Sequence, residues 1–249
     1  MSPTVPTPTT SGVDAASTAE AVRSHLAGLT EVLAQLQDEA QRLTRWSEAL
    51  AACLVGGGRL LAAGNGGSAA EAQHLTAELV GRYDGDRRPF SALALHAETS
   101  SLTAIANDYG YEAVFARQVE AHARPGDVVV LLSGSGRSRN LLLAAEAARR
   151  AGATSWAMTG PGPNPLADCC DDALVLPGRC GNVQEGHLLA LHALCCGFES
   201  EVRVLDQQAR PGPEHQTGAN EAGPDGAEPE GAGPDGAGRG GDVTDEDAA

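Results

Sequence analysis

His74 and Glu78 stand four residues apart, just behind the glycine-rich stretch Gly64-Asn65-Gly66-Gly67-Ser68. The run Leu60-Leu61-Ala62-Ala63 before it reads as a buried strand, and 69–83 reads as a helix. A strand, a tight turn and a helix start make an anion cradle, because glycines let backbone approach and free N–H groups point outward. On the helix that follows, positions i and i+4 share a face, so an imidazole and a carboxylate project together beside whatever the cradle holds. A second loop, Ser133-Gly134-Ser135-Gly136-Arg137-Ser138, follows the run Asp127–Leu132 and precedes a helix at 138–151. Its hydroxyls and backbone donors suit a phosphate. Neither loop is a Walker or dinucleotide fingerprint, since the G-K-[ST] element and the third spaced glycine are both missing.

The last helical stretch, Gly181 to Val204, carries Gln184 and His192 among leucines. Eight residues separate them, roughly 80° around an ideal helix, so both can lean toward one cleft. His187 lies beside Gln184 and is the alternative to His192. Together His74, Glu78, Gln184 and His192 offer two imidazoles, a carboxylate and an amide oxygen. Such a set can hold a divalent metal, zinc before others, although an amide is an unusual zinc ligand.

The elements that must position these groups alternate. Ser17 to Leu54 has apolar residues at helical spacing (Val22, Leu26, Leu33, Leu43, Trp46 and Leu50 among them), stopped by Gly56-Gly57-Gly58. Short apolar runs at 59–63, 92–95, 128–132, 155–159 and 173–176 read as strands, with helices expected at 69–83, about 99–121 and 138–151. This predicts an α/β domain: a parallel sheet covered on both faces, with ligands at the carboxyl ends of its strands.

Composition narrows the class. The chain has 249 residues, 42% of them hydrophobic, and a formal net charge of −16, which argues against nucleic acid as a partner. Residues 206–249 hold 11 acidic and 2 basic side chains, so most of that charge lies there. This segment repeats Ala-Gly-Pro-Asp-Gly-Ala at 222–227 and 232–237. It reads, like 1–17, as a disordered tail flanking one domain at 18–205, because neither composition can offset its ordering entropy. Six cysteines without metal or disulfide spacing, no secretory pattern at 1–17 and no run of ~20 apolar residues point to a cytoplasmic protein that does not enter membranes.

Taken together, Gly64–Leu79, Asn107-Asp108-Tyr-Gly-Tyr, the Ser133–Ser138 loop and Gln184-Glu185-Gly-His187 with His192 behind it resemble the sedoheptulose 7-phosphate isomerase (phosphoheptose isomerase) family of the sugar isomerase (SIS) fold. The resemblance covers about residues 20–204, with the motifs in the family's order. It implies a flavodoxin-like three-layer α/β/α domain, a homotetramer with active sites near subunit interfaces, and a phosphorylated seven-carbon sugar as substrate. Asn65, Gly66, Gly67, Ser68, Asn107, Asp108 and Gln184 would contact that substrate. Ser133, Gly134, Ser135 and Ser138 would hold its phosphate. His74, Glu78, Gln184 and His192 would occupy the zinc positions, with Glu78 and His192 also the acid/base pair. Two departures fall in the second loop, where the family usually has Thr and Asn and this chain has Gly134 and Arg137. At 69 this chain has Ala where some members carry His. Two other readings share the fold: a non-catalytic regulator that binds a sugar phosphate or a partner protein, and an isomerase of another phosphosugar.

Overall fold

The computed structural model describes residues 15–209. The chain opens with helices α1 (Ala15–Asp38) and α2 (Ala40–Val55), then alternates. Strand β1 (Leu60–Gly64) leads into α3 (Gly67–Val80), and β2 (Ala92–Ala94) into α4 (Thr99–Tyr109), a 3-10 turn (Tyr111–Ala113) and α5 (Val114–His122). Strand β3 (Val128–Ser133) precedes α6 (Arg139–Ala151), and β4 (Thr154–Thr159) precedes α7 (Pro165–Cys169). Strand β5 (Asp172–Val175) and the long α8 (Cys180–Gln208) complete it.

All strand pairs are parallel, in the order β2-β1-β3-β4-β5. Residues of odd and even number along each strand feed different cores, as the period of two requires. Leu60, Ala62, Val128, Val130, Trp156 and Met158 pack with α2, α3 and α8 on one face. Leu61, Ala63, Val129, Leu131 and Ala157 pack with α5, α6 and α7 on the other. The result is the expected α/β/α sandwich.

The strand order reverses between β1 and β3, whose register pairs Gly64 with Leu132. The loops that follow these two strands therefore leave the sheet side by side. In an open parallel sheet this switch point, at the carboxyl ends of the strands, is where a crevice forms.

Several boundaries differ from expectation. The first helical stretch is two helices meeting at Glu39, although Glu39 N–H still reaches Gln35 O and its own carbonyl still accepts from Leu43. The single helix expected over about 99–121 breaks at Gly110, whose φ of 86° a residue with Cβ rarely adopts. Helix α7 was not anticipated, yet Asn164-Pro165 marks it: the Asn side chain accepts from Ala167 N–H, and Pro sits at the first helical position. Of the two tails expected to be disordered, 15–17 and 206–208 belong to α1 and α8, and 1–14 and 210–249 lie outside the described residues. Among the described residues no helix is long and apolar enough to cross a membrane.

Candidate active site

Helices α3 and α8 lie side by side and run in the same direction. Successive contacts show this. Gly67 faces Gln184, Glu71 faces His187 and His74 faces His192. At the far end the Tyr83–Gly85 backbone meets Glu199. The candidate residues are distributed along this pair, with the two glycine-rich loops at its N-terminal end.

Between those loops is a cavity of about 200 Å³, lined by Asn65, Ser68, Ser133, Gly134, Ser135 and Ser138, with Leu132, Cys180 and Gln184 completing the wall. No lining side chain carries a formal charge. Its electrostatics come instead from helix ends: Ser68 lies in the first turn of α3, Ser138 immediately precedes α6 and Cys180 begins α8. None of these three N-termini is capped by a side chain, whereas Glu98 caps α4 and Asn164 caps α7. Three positive helix ends with free N–H donors face one small hollow, an arrangement that favours a phosphate group.

Local geometry explains the glycines. Gly66 has φ 58°, and a Cβ on Gly67 would sit 2.6 Å from Gln184 Nε2, so the loop needs both residues small. In the second loop Ser133 Oγ accepts from Gly136 N–H at 3.1 Å and lies 3.4 Å from Ser138 Oγ. The Ser135 hydroxyl accepts from Arg137 N–H. Arg137 itself is exposed and does not line the cavity.

Asn65 is held by two residues that sequence reasoning missed. Its amide exchanges hydrogen bonds with Asn140 of α6 at 2.9 and 3.1 Å, and its Oδ1 also accepts from Tyr111 O–H at 3.0 Å. For Asn140 the only available signal was an Asn in the first turn after Ser138, a position that such residues take for many reasons; Tyr111 closes the Asn107–Tyr111 motif, but no role was assigned to it. Cys180 was missed as well. Asn107 and Asp108, the other expected substrate contacts, are exposed on the last turn of α4, bonded to each other at 2.8 Å, and do not line the cavity.

Farther along α3 and α8 the chemistry changes. His74 Nε2 is 2.9 Å from His192 Nε2 and 3.2 Å from Glu78 Oε1, and the three donor atoms lie within 4.8 Å of one another. The rival His187 is not in this group: it is fully buried, with Nδ1 3.7 Å from Glu71 Oε2. The Tyr83 ring packs 5.6 Å from that of His192 and covers one side.

These donors suit zinc. Tetrahedral bonds of about 2.0–2.1 Å put neighbouring ligand atoms about 3.3 Å apart, close to the two spacings seen here. Two imidazoles and one carboxylate also leave a position open, as a catalytic zinc requires. The Gln184 amide lies at the loop end, against Gly67 and in the cavity wall.

Comparisons with known proteins bear on family and fold. The SIS domain family matches residues 24–160. A phosphoheptose isomerase from Streptomyces coelicolor is 57% identical over 190 residues, spanning 76% of this chain and 82% of that protein. Another, from Rhodospirillum rubrum, is 43% identical over 175 residues, spanning 70% and 93%. Among solved structures, a phosphoheptose isomerase from Francisella tularensis has a TM-score of 0.70 at 29% identity, covering 74% of this chain and 98% of its own. One from Neisseria gonorrhoeae has a TM-score of 0.67 at 37% identity, covering 74% and 99%. A shared fold and identity extending over most of both chains place this protein in the phosphoheptose isomerase family of SIS-domain enzymes.

Proposed function

We propose that this isomerase converts D-sedoheptulose 7-phosphate to D-glycero-D-manno-heptose 7-phosphate, with Glu78 and His192 as its acid/base pair. One observation carries the reading: a charge-free anion cavity and a carboxylate–imidazole group lie at two stations of the same pair of helices. Gln184 and His192 mark those stations on α8, about 12 Å apart at 1.5 Å per residue. A seven-carbon chain advancing about 1.3 Å per carbon, plus its ester linkage, places phosphorus about 10 Å from the reacting carbons. The phosphate then sits among Ser133, Ser135, Ser138 and the loop N–H groups, with Asn65, Gly66, Gly67, Ser68, Gly134, Asn107, Asp108 and Gln184 as further substrate contacts.

The proton inventory follows. Glu78 takes a proton from C1 of the open-chain ketose, the electron pair forms the C1–C2 double bond, and the C2 carbonyl oxygen takes a proton from His192. Glu78 then returns its proton to C2 of the enediol while the C1 hydroxyl gives its proton to His192, leaving the aldehyde. Both residues end as they began. His74, Glu78 and His192 are the residues that would hold zinc. When bound, zinc supplies Lewis-acid polarisation of the carbonyl.

We read the domain as 18–205, working in the cytoplasm, where six free thiols persist. We also read it as a homotetramer, supported by the exposed Leu33, Leu188 and Leu189 beside an apolar groove of about 550 Å³ between the N-terminal helices and α8. The test of function is NMR of the product formed from sedoheptulose 7-phosphate, with and without a chelator. The reading expects the aldoheptose phosphate as product and reduced turnover after chelation. No heptose product from the metal-replete enzyme, with a different phosphosugar isomerised instead, would overturn the substrate assignment.

A further inference from the structure

Arg87 lies beyond α3 in sequence and turns back beneath its last turn. Its guanidinium donates to the carbonyls of Glu78 at 2.6 Å, Leu79 at 3.0 Å and Gly81 at 3.2 Å. The first two are oxygens that a helix end leaves without intrahelical partners. Its Nε is 3.4 Å from Glu199 Oε1, and the two side chains are only 9% and 5% exposed. The guanidinium also packs over the rings of Phe90 and Phe198, 5.3 and 5.6 Å from their centroids.

Glu199 completes the device from α8, two turns beyond His192. Its carboxylate accepts from the backbone N–H groups of Tyr83 at 3.1 Å, Asp84 at 3.3 Å and Gly85 at 3.2 Å, and from Arg203 at 3.5 Å. Burial alone would raise its pKa, but the three N–H donors and Arg87 outweigh it and hold the carboxyl below the usual carboxylate range. The Tyr83 backbone it fixes carries the ring that packs on His192. One buried ion pair thus touches the peptide of Glu78 and the peptide of the residue lying against His192.

We propose that Arg87 and Glu199 are positioning residues, a clamp that fixes the separation of Glu78 and His192 across the two helices. This rests on the assignment of those two groups as the acid/base pair. A buried ion pair is weak evidence for stability, since apolar residues of like volume often serve as well once desolvation is counted. What this pair adds is direction: a planar fork reaches four carbonyls at once, that of Arg88 at 3.1 Å included, and a carboxylate gathers three N–H groups. A displacement of about 1 Å at the reacting groups costs on the order of 100-fold in rate, so such direction matters to turnover.

The test is a kcat-against-KM split in the full-length enzyme with sedoheptulose 7-phosphate. Arg87→Met keeps the apolar stem over Phe90 and Phe198 but removes the donors. Its kcat should fall about 10- to 100-fold while KM, set at the distant loops, stays within about threefold. Arg87→Lys, with one ammonium in place of the fork, should recover only part of the loss. Glu199→Gln should give the same split more mildly, and it carries the test if Arg87→Met does not fold. The double variant should be no slower than Arg87→Met by more than about threefold, because both act on one device. Leu54→Ala, a buried α2 residue that is not among the Arg87 and Glu199 contacts, provides the control: it lowers Tm yet should keep kcat well below its Tm. Wild-type kcat in a folded Arg87→Met or Glu199→Gln enzyme would overturn the clamp, as would an equal kcat loss in Leu54→Ala. If Glu78→Gln proves active in the same assay, the underlying acid/base assignment fails instead.

Discussion

Gly134 and Gly136 sit two residues apart in one loop, and the structure predicts opposite responses to a methyl group. Gly136 has φ 61°, and a Cβ there would land on the side chain of Asn164. Asn164 is 2% exposed and cannot swing into solvent. Its Oδ1 accepts from Ala167 N–H at 3.0 Å to cap α7, and its Nδ2 donates to Thr159 Oγ1 at 3.1 Å. The left-handed backbone costs Ala about 1 kcal/mol. Displacing Asn164 forfeits about 1 kcal/mol of capping and about 1 kcal/mol of buried hydrogen bonding. Gly136→Ala should therefore lose about 3 kcal/mol, a Tm drop of about 6–12 °C for a domain of this size. Gly134 has ordinary backbone, and its Cβ would meet only Cys180 Sγ, at 3.5 Å. Gly134→Ala should stay within about 0.5 kcal/mol of the parent. Urea and thermal melts followed by circular dichroism on both variants decide the matter. A Gly136→Ala loss below about 1 kcal/mol, or equal losses at the two positions, would refute the reasoning from close approach.

Three further outcomes are expected. Asn140→Leu removes both hydrogen bonds that hold the Asn65 amide from α6, so KM for the sugar phosphate should rise about tenfold with little change in kcat; an unchanged KM would separate Asn65 from substrate binding. Among the thiols, the hydrogen bond from Cys170 holds exposed Cys169 down to about 7, while burial pushes Cys195 up to about 12. Iodoacetamide near pH 7 should therefore label Cys169 first and Cys195 only after unfolding, as peptide mass spectrometry would show. Inorganic phosphate should slow labelling of Cys180, in the cavity wall, without affecting Cys169; equal rates with and without phosphate would count against that cavity as the anion site.

What was legible in the sequence is what depends on neighbours along the chain. The alternation of apolar runs predicted the sheet, and spacing alone put His74 and Glu78 on one face of a helix. Both loops could be recognised because glycine and serine have few other uses between a strand and a helix. Contacts across the chain were another matter. Helical geometry allowed Gln184 and His192 to lean the same way but could not say that they serve two stations, one at Gly67 and one at His74. The choice between His187 and His192 depended on which turn of α8 faces which turn of α3, a packing register that no periodicity contains. Asn140, Tyr111 and Glu199 acquire their roles through partners dozens of residues away, and Arg87, whose carbonyl partners at the end of α3 lie 6–9 residues back, meets Glu199 only across the chain.

The account rests on Glu78 as the group that moves the carbon-bound proton. The most direct measurement is proton NMR of sedoheptulose 7-phosphate in D₂O with the parent enzyme and Glu78→Gln, beside calorimetric binding of the same sugar phosphate. The parent should form the aldoheptose phosphate. Glu78→Gln should bind with a Kd within about threefold and lose on the order of 10²–10⁴ in rate, with the C1 proton signals intact. Product formation by Glu78→Gln at a rate near the parent's would contradict the account.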